Sequence, residues 1–216
     1  MAANARLSSR SRRAELLHGI YAVVDESART LEIARDVLGA GICILQYRAK
    51  TGIVAQTLQT LRALTRERAA LLIVNDDVAA VRAFDCDGVH LGPDDDGFYD
   101  VARVRAAIPE HLIGLSCGTV GEASPRRTEG ADYLGVGSVY ATPSKDDAGA
   151  PIGIDGLARI ASVTALPVAA IGGITVANVG NVRRSGVAMA AVISAISAAE
   201  SSAAAARALV RGWEQA

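Results

Sequence analysis

The chain alternates short apolar runs with stretches of helical spacing, and this alternation restricts the fold more than any other feature. A short apolar run bounded by turn residues is typical of a buried strand. Eight such runs occur, at residues 20–24, 42–47, 71–74, 88–91, 112–116, 133–136, 167–171 and 188–193. Segments with helical spacing lie between them, as at 30–38, 54–68, 101–108, 154–163 and 176–184. Strands that alternate with helices favour a parallel sheet.

Eight strand–helix units in series predict an α/β fold of one domain, an eight-stranded parallel β/α (TIM) barrel. The units follow one another without a Pro-rich or Ser-rich linker, and 216 residues suffice for one barrel. A doubly wound sheet normally has fewer strands. We assign residues 1–17 to an N-terminal extension and lead-in helix. Residues 18–216 form the barrel domain, which ends in an Ala-rich helix through Trp213.

Composition narrows the class of partner. The formal net charge is −1, which argues against a nucleic-acid or membrane-surface binder because either needs a surplus of Lys and Arg. No apolar run is long enough to span a bilayer. Cys43, Cys86 and Cys117 lie far apart in apolar runs and predict buried thiols in a reducing, cytoplasmic compartment. An organellar transit peptide is the alternative for the Arg- and Ser-rich start, and a homo-oligomer stays open.

The second run, ICILQYRAK at residues 42–50, changes from apolar to cationic along one face. Alternate side chains of a strand share a face, so Gln46, Arg48 and Lys50 should form one row. An amide, a guanidinium and an ammonium at the exit of a buried strand predict an anion site. An edge strand protected by charge is the alternative.

Carboxylates follow the third and fourth runs. Asn75, Asp76 and Asp77 come after the third run, and GPDDD at residues 92–96 comes after the fourth. Helices begin and strands end at one rim of a barrel, so these carboxylates should converge there. Mg²⁺ takes one or two carboxylates together with substrate phosphate and water. Helix capping and turn formation are the alternative roles for Asp.

A long segment, residues 135–153, follows the sixth run. It contains Thr142, Pro143, Ser144 and Lys145, which place two hydroxyl groups and a cation around a proline. Such a group of donors is suited to a phosphate. A plain surface loop is the alternative, but long loops inside compact domains are commonly functional.

The last two runs end in residues that favour phosphate binding. Gly172 and Gly173 end the seventh run, and Ile193 and Ser194 end the eighth. Barrels frequently bind phosphate at these two loops, where glycine allows close backbone approach. Tight packing is the alternative role for the glycines. Two anion sites with a metal suggest chemistry between two phosphorylated molecules. His90 is interpreted as a core or supporting group, and no Ser-His-Asp or Cys-His spacing indicates a nucleophile.

In these residues the chain resembles the thiamine-phosphate synthase family. The resemblance covers about residues 20–196 and rests on seven segments that occur in the family's order. They are QYRAK (46–50), NDD (75–77), DGVHLG (87–92), IGLS (113–116), TPSK (142–145), IGGI (171–174) and VISAI (192–196). The chain departs from the family pattern at Pro93, where Gln is usual, and at Gly118, where His is usual.

The resemblance implies a transferase of thiamine biosynthesis that uses Mg²⁺ and two small-molecule substrates. It would combine 4-amino-5-hydroxymethyl-2-methylpyrimidine diphosphate with a thiazole phosphate to give thiamine phosphate and pyrophosphate. The pyrimidine would ionise first, and the thiazole nitrogen would capture the resulting carbocation, so no protein nucleophile is required.

The resemblance also implies roles for individual residues. Residues that would hold the pyrimidine diphosphate are Gln46, Arg48, Lys50, Asn75 and Lys145, with Ser116 on the pyrimidine side. Residues that would line the thiazole-phosphate site are Thr142, Ser144, Gly173, Ile193 and Ser194. The binding set includes Tyr47, Ala49 and Pro143 from the same segments. Asp76 and Asp95 would bind Mg²⁺, and the catalytic set is Arg48, Lys50, Ser116 and Lys145.

Two alternatives remain at this stage. A related branch of the superfamily tautomerises the thiazole phosphate or only binds it, and keeps the phosphate loops without the diphosphate residues. A non-catalytic phosphate-binding barrel is the second alternative, because a fold does not fix a function. The presence of Arg48, Lys50, Asp76 and Asp95 favours the synthase.

Overall fold

Eight parallel strands close into one barrel in chain order, so the predicted fold is confirmed. The computed structural model describes residues 9–92, 100–142 and 150–216. The strands are β1 (Gly19–Asp25), β2 (Ile44–Arg48), β3 (Leu71–Asn75), β4 (Gly88–Leu91), β5 (Leu112–Cys117), β6 (Tyr133–Val136), β7 (Val168–Ile171) and β8 (Met189–Val192). β8 pairs with β1 and completes the ring. The carboxyl ends of all eight strands therefore meet at one mouth.

Helices cover the outside of the barrel. In the described ranges they are α1 (Ser9–Ala14), α2 (Thr30–Gly39), α3 (Ala55–Glu67), α4 (Val78–Ala83), α5 (Val101–Ala107), α6 (Gly153–Ala161), α7 (Val179–Arg184), α8 (Ser194–Ser197) and α9 (Ser202–Glu214). The longer ones are amphipathic: α2, for example, buries Ile33 and Val37, which are four residues apart and share a face. None of these helices has the length and apolar character needed to cross a membrane.

The connection between β5 and β6 differs from the predicted pattern of eight strand–helix units. Residues 118–132 form turns and contain no helix. Pro125 lacks a backbone N–H and disfavours a helix interior, and Gly121 and Gly130 have low helix propensity. Gly130 also adopts a φ of +88°, which ends any helical continuation before β6.

Two apolar layers hold the barrel together. Strand side chains that point outward pack beneath the helices, and those that point inward fill the barrel. The inner layer is built from Leu17, Tyr21, Val23, Ile44, Leu71, Ile73, Leu112, Tyr133, Ala169, Met189 and Ala191. Because these side chains occupy the lower and middle part of the barrel, inward-facing polar residues are left at the mouth.

Ion pairs fasten α1 and α3 at the amino end of the barrel. Asp87, just before β4, accepts hydrogen bonds from Arg13 at 3.0 Å and from Arg62 at 2.6 Å. Asp132, just before β6, accepts from Arg10 at 2.6 Å. Both carboxylates are largely buried. The end opposite the mouth is therefore a structural face.

Candidate active site

The row predicted on β2 is present for two of its three polar residues. Gln46 is buried inside the barrel, and Arg48 ends the strand at the mouth. The strand stops at Arg48, so Lys50 lies beyond it in an exposed turn. Asp25, at the end of β1, is in register with Arg48 and accepts two hydrogen bonds from its guanidinium, at 2.5 and 2.9 Å. Sequence reasoning missed Asp25 because an acid after an apolar run is common; only the strand register reveals its partner.

Tyr47 and Ala49 lie on the other face of this segment, away from the barrel interior. Tyr47 is fully buried beneath the helices, where its hydroxyl donates to Glu26 and accepts from the Val54 N–H at 3.3 Å. Burial, and the contact with Glu26, raise the pKa of Tyr47 to about 12. Ala49 packs against the outer apolar layer. The structure therefore does not bring these two residues together with Gln46 and Arg48.

Polar side chains from β1, β2, β3 and β6 are linked by hydrogen bonds across the interior. Gln46 donates through Nε2 to Asn75 Oδ1 at 2.7 Å. The Tyr21 hydroxyl donates to Gln46 Oε1 at 2.8 Å and lies 2.8 Å from the Tyr133 hydroxyl. Burial raises the pKa of both tyrosines, so both hydroxyls are protonated near neutral pH. Tyr21 and Tyr133 were read from the sequence only as strand residues.

His90 on β4 continues this linkage to Ser116. Its Nδ1 lies 3.1 Å from the Tyr133 hydroxyl, and its Nε2 lies 3.1 Å from Ser116 Oγ. Burial lowers the pKa of His90 to about 4, against a smaller opposing effect of Asp76, so the ring is neutral at pH 7. Gly114 provides space for this contact, because a Cβ there would lie 2.1 Å from Tyr133 Cζ. These contacts agree with the supporting role predicted for His90.

Two neighbouring acids after β3 have different surroundings. Asp76 is exposed at the mouth with a φ of +60°, and its carboxylate accepts from the Gly92 N–H at 2.7 Å and from the Asn75 side chain. Asp77 caps α4 by accepting from the Ala80 N–H at 2.8 Å. Helix capping therefore accounts for Asp77, while the carboxylate of Asp76 faces the mouth.

The donor set around Asp76 fits a hard divalent cation. The carboxylate of Asp76 at an open mouth supplies oxygen ligands of the kind that Mg²⁺ prefers. In the described ranges no cluster of three or more His, Cys, Asp or Glu side chains is arranged to hold a metal. A small number of protein ligands is expected for Mg²⁺, which keeps water and substrate oxygens. Asp95, the second predicted ligand, lies outside the described residues.

A pocket opens at the carboxyl ends of β7 and β8. Its lining residues are Arg48, Ser138, Thr142, Ile171, Gly172, Gly173, Ile174, Ala191, Val192, Ile193 and Ser194. Among these lining residues Arg48 carries the one charge, and its guanidinium is a donor of the kind that binds phosphate. Four of the predicted thiazole-phosphate residues, Thr142, Gly173, Ile193 and Ser194, come together here. Pro143, Ser144 and Lys145 lie outside the described residues.

Gly173 allows the segment after β6 to lie over the end of β7. Its φ is +63°, in the left-handed region. A Cβ at this position would lie 2.5 Å from the Ala141 carbonyl oxygen and 2.7 Å from Tyr140 Cβ. Glycine is therefore required by the chain's own backbone, and the packing alternative for this residue has direct support.

Comparison with known proteins identifies the family. Residues 20–196 match the sequence profile of the family described as thiamine monophosphate synthase. The chain belongs to the thiamine monophosphate synthase family. The thiamine-phosphate synthase of Chloroflexus aurantiacus is 43% identical over 197 residues, which cover 88% of this chain and 90% of that protein. The corresponding protein of Archaeoglobus fulgidus is 44% identical over 196 residues, covering 88% and 91%.

A solved structure supports the same membership. The thiamine phosphate pyrophosphorylase of Pyrococcus furiosus superposes with a TM-score of 0.83 at 36% identity, covering 94% of this chain and 98% of that one. The resemblance read from the sequence is thus confirmed, and this family member is a transferase. Described residues of the family segments lie at the mouth: Gln46, Asn75, His90, Ser116, Gly173 and Ser194.

Proposed function

We propose that this member of the thiamine monophosphate synthase family condenses 4-amino-5-hydroxymethyl-2-methylpyrimidine diphosphate with a thiazole phosphate, releasing pyrophosphate. The observation that carries the proposal is the position of Arg48. Its guanidinium lines the pocket at β7 and β8, while Gln46, two residues earlier on the same row, belongs to the polar linkage inside the barrel. One strand end thus adjoins both a phosphate pocket and a polar site suited to a heterocycle.

The pyrimidine diphosphate occupies the side of the mouth formed by β2 to β5. Gln46 and Asn75 have amide groups that match ring nitrogens and amino groups, and Ser116 lies across from them on β5. We assign the diphosphate to Arg48, Lys50 and Lys145, three cations from two segments. The thiazole phosphate occupies the other side, at Thr142, Ser144, Gly173, Ile193 and Ser194.

The cations act mainly on the leaving group. Breaking the carbon–oxygen bond places negative charge on the pyrophosphate, and charge already positioned beside it stabilises the transition state. Arg48 is held by Asp25 before substrate arrives, so little reorganisation is needed. Mg²⁺ held by Asp76 and Asp95 would neutralise diphosphate oxygens when it is bound. The phosphate pocket orients the thiazole so that its nitrogen meets the carbon that loses pyrophosphate.

Product formation from the two substrates tests the proposal. Purified protein is incubated with the pyrimidine diphosphate, the thiazole phosphate and Mg²⁺, and thiamine phosphate and pyrophosphate are measured together. We expect both products in equal amounts, and none when either substrate is omitted. Binding of thiazole phosphate without release of pyrophosphate would instead support a phosphate-binding or tautomerase-like barrel.

The metal proposal has its own test. Asp76→Asn and Asp95→Asn keep the side-chain shape but remove a charge that attracts a hard cation. We expect the Mg²⁺ concentration for half-maximal turnover to rise at least about tenfold, with thiazole-phosphate affinity retained. Asp77→Asn is the matched control, since Asp77 caps α4 and Asn caps a helix about as well as Asp; it should leave both the stability and the Mg²⁺ requirement nearly unchanged. An unchanged Mg²⁺ requirement in Asp95→Asn would remove Asp95 from the site.

A further inference from the structure

A continuous series of hydrogen bonds runs from Asp76 at the mouth through the interior of the barrel to Ser116. From Asn75 to Ser116 each hydrogen bond measures between 2.7 and 3.1 Å. Between its two ends the series passes through two amides, two tyrosine hydroxyls and an imidazole. Every one of these groups has a limited number of protons to donate. The direction of donation at one end therefore determines the direction at every later link.

The carboxylate of Asp76 sets the direction at the first amides. It accepts from the Gly92 N–H and from the Asn75 side chain, so Asn75 turns its nitrogen towards Asp76 and its oxygen towards Gln46. Gln46 must then donate through Nε2, which leaves Oε1 facing Tyr21. Turning either amide around would place two donors or two acceptors against each other.

The two tyrosines pass the same direction onward. Tyr21 donates its only hydroxyl proton to Gln46 Oε1, so the Tyr21 oxygen accepts a hydrogen bond from the Tyr133 hydroxyl at 2.8 Å. Tyr133 then has no proton left for His90 and accepts from His90 Nδ1 at 3.1 Å. The imidazole proton is thereby assigned to Nδ1.

The last link determines the direction in which the Ser116 hydroxyl donates its proton. Both ring nitrogens of His90 contact hydroxyl groups, and among the described residues no carboxylate is hydrogen-bonded to the ring. A neutral imidazole with its proton on Nδ1 has a lone pair on Nε2, which accepts the Ser116 proton at 3.1 Å. Towards any other group, the Ser116 oxygen can then act only as an acceptor.

We propose that Tyr21, Tyr133 and His90 are positioning residues that make Ser116 Oγ a hydrogen-bond acceptor, and that this selects a heterocycle bearing an amino group over one bearing an oxo group. The inference rests on the proposed function, in which the pyrimidine carries a 4-amino group. An amino N–H meets a lone pair of Ser116. A 4-oxo oxygen meets the same lone pair and leaves both oxygens unpaired, which a desolvated site penalises.

The tautomer of His90 tests the series without any substrate. Long-range proton–nitrogen correlation spectra of protein labelled at the histidine nitrogens distinguish a protonated from an unprotonated ring nitrogen. His90 is assigned by the signals that disappear in His90→Gln. We expect the proton on Nδ1 in the wild type and a mixture of tautomers in Tyr133→Phe, which removes the links of Tyr133 to Tyr21 and to His90. Tyr21→Phe removes the links of Tyr21 to Gln46 and to Tyr133 and gives a second variant, so the test does not depend on one protein folding.

Substrate selectivity tests the consequence. The ratio of kcat/KM for the 4-amino and 4-oxo pyrimidine diphosphates should fall at least about tenfold in Tyr133→Phe and in Tyr21→Phe, because Ser116 can then also donate. Thr65→Val is the matched control: Thr65 is fully buried on α3, and the change removes a hydroxyl outside the series without altering shape. Its ratio and its His90 spectrum should equal those of the wild type.

The outcomes are separable. A wild-type proton on Nε2, or an Nδ1 tautomer that survives both tyrosine variants, overturns the positioning series. A tautomer that changes while selectivity stays constant overturns the role in selection. Absence of turnover with either pyrimidine overturns the proposed function and the selection that rests on it, whereas the spectra still decide whether the series sets the hydroxyl of Ser116.

Discussion

At the scale of single residues, Asp25 holds the guanidinium of Arg48 in a fixed direction. Asp25 accepts from two guanidinium nitrogens, and Arg48 is one of the residues that line the pocket at β7 and β8. A lysine at this position would keep the charge but lose the paired contact. Asp25 is therefore a positioning residue in the proposed site, although it was not predicted from the sequence.

Replacing Asp25 tests this arrangement. Asp25→Asn keeps the size of the side chain but weakens both hydrogen bonds, so Arg48 should sample other directions. We expect kcat/KM to fall about tenfold, since misplaced catalytic groups lose much of their effect. Glu32→Gln is the control, because Glu32 forms an exposed pair with Arg29 on α2. Equal kcat/KM in Asp25→Asn and wild type would show that Arg48 needs no anchor.

At the scale of elements, the segment after β6 and the end of β7 depend on each other. Gly173→Ala introduces a Cβ 2.5 Å from the Ala141 oxygen, so the segment carrying Thr142 must shift. We expect a several-fold higher KM for thiazole phosphate. Gly186→Ala is a close control, because Gly186 has a φ of +84° and no atom within 4 Å of an added Cβ. In both variants the left-handed strain of alanine should lower the free energy of unfolding by about 1 kcal/mol. Only Gly173→Ala should change the KM for thiazole phosphate. An unchanged KM in that variant would show that this segment does not form the phosphate site.

The ion pairs at the amino end predict that two Asp→Asn substitutions, at Asp87 and at Asp85, differ in their cost in stability. Both carboxylate oxygens of Asp87 accept hydrogen bonds, from Arg13, Arg62 and the Leu72 N–H. Asp87→Asn turns an NH₂ group towards one of these donors, which should lower the free energy of unfolding by about 3 kcal/mol in urea titrations. Asp85→Asn disrupts only the exposed pair with Arg66 and should cost less than about 0.5 kcal/mol. Similar losses in both variants would contradict the buried network.

At the scale of the whole molecule, a neutral histidine inside the barrel makes stability depend on pH. Burial lowers the pKa of folded His90 to about 4, below its ordinary 6.5. Between these values the unfolded chain binds more protons, so stability is complete above about pH 6.5 and falls as the pH drops towards 4. Burial lowers the pKa of His111 as well, which acts in the same direction.

Urea unfolding at two pH values measures this contribution. From pH 7 to pH 5 the wild type should lose about 2 kcal/mol more than His90→Gln, because the variant has no imidazole to protonate. The remaining pH dependence of the variant reports His111 and the carboxylates. Equal losses in the two proteins would mean that His90 is protonated in the folded state at pH 5.

The sequence by itself determined the barrel and the composition of its mouth. Alternating apolar runs specify strands and helices locally, and parallel closure then brings every strand end to one rim, where Gln46, Asn75, Ser116 and Gly173 lie. Only the tertiary structure decided which side chains meet. The pairing of Arg48 with Asp25 depends on the register of β1 and β2, and the contact of Tyr21 with Tyr133 joins strands 112 positions apart in the chain. Local sequence patterns do not predict such contacts, because the contacts arise from the closure of the barrel and from the directions in which its strands point their side chains.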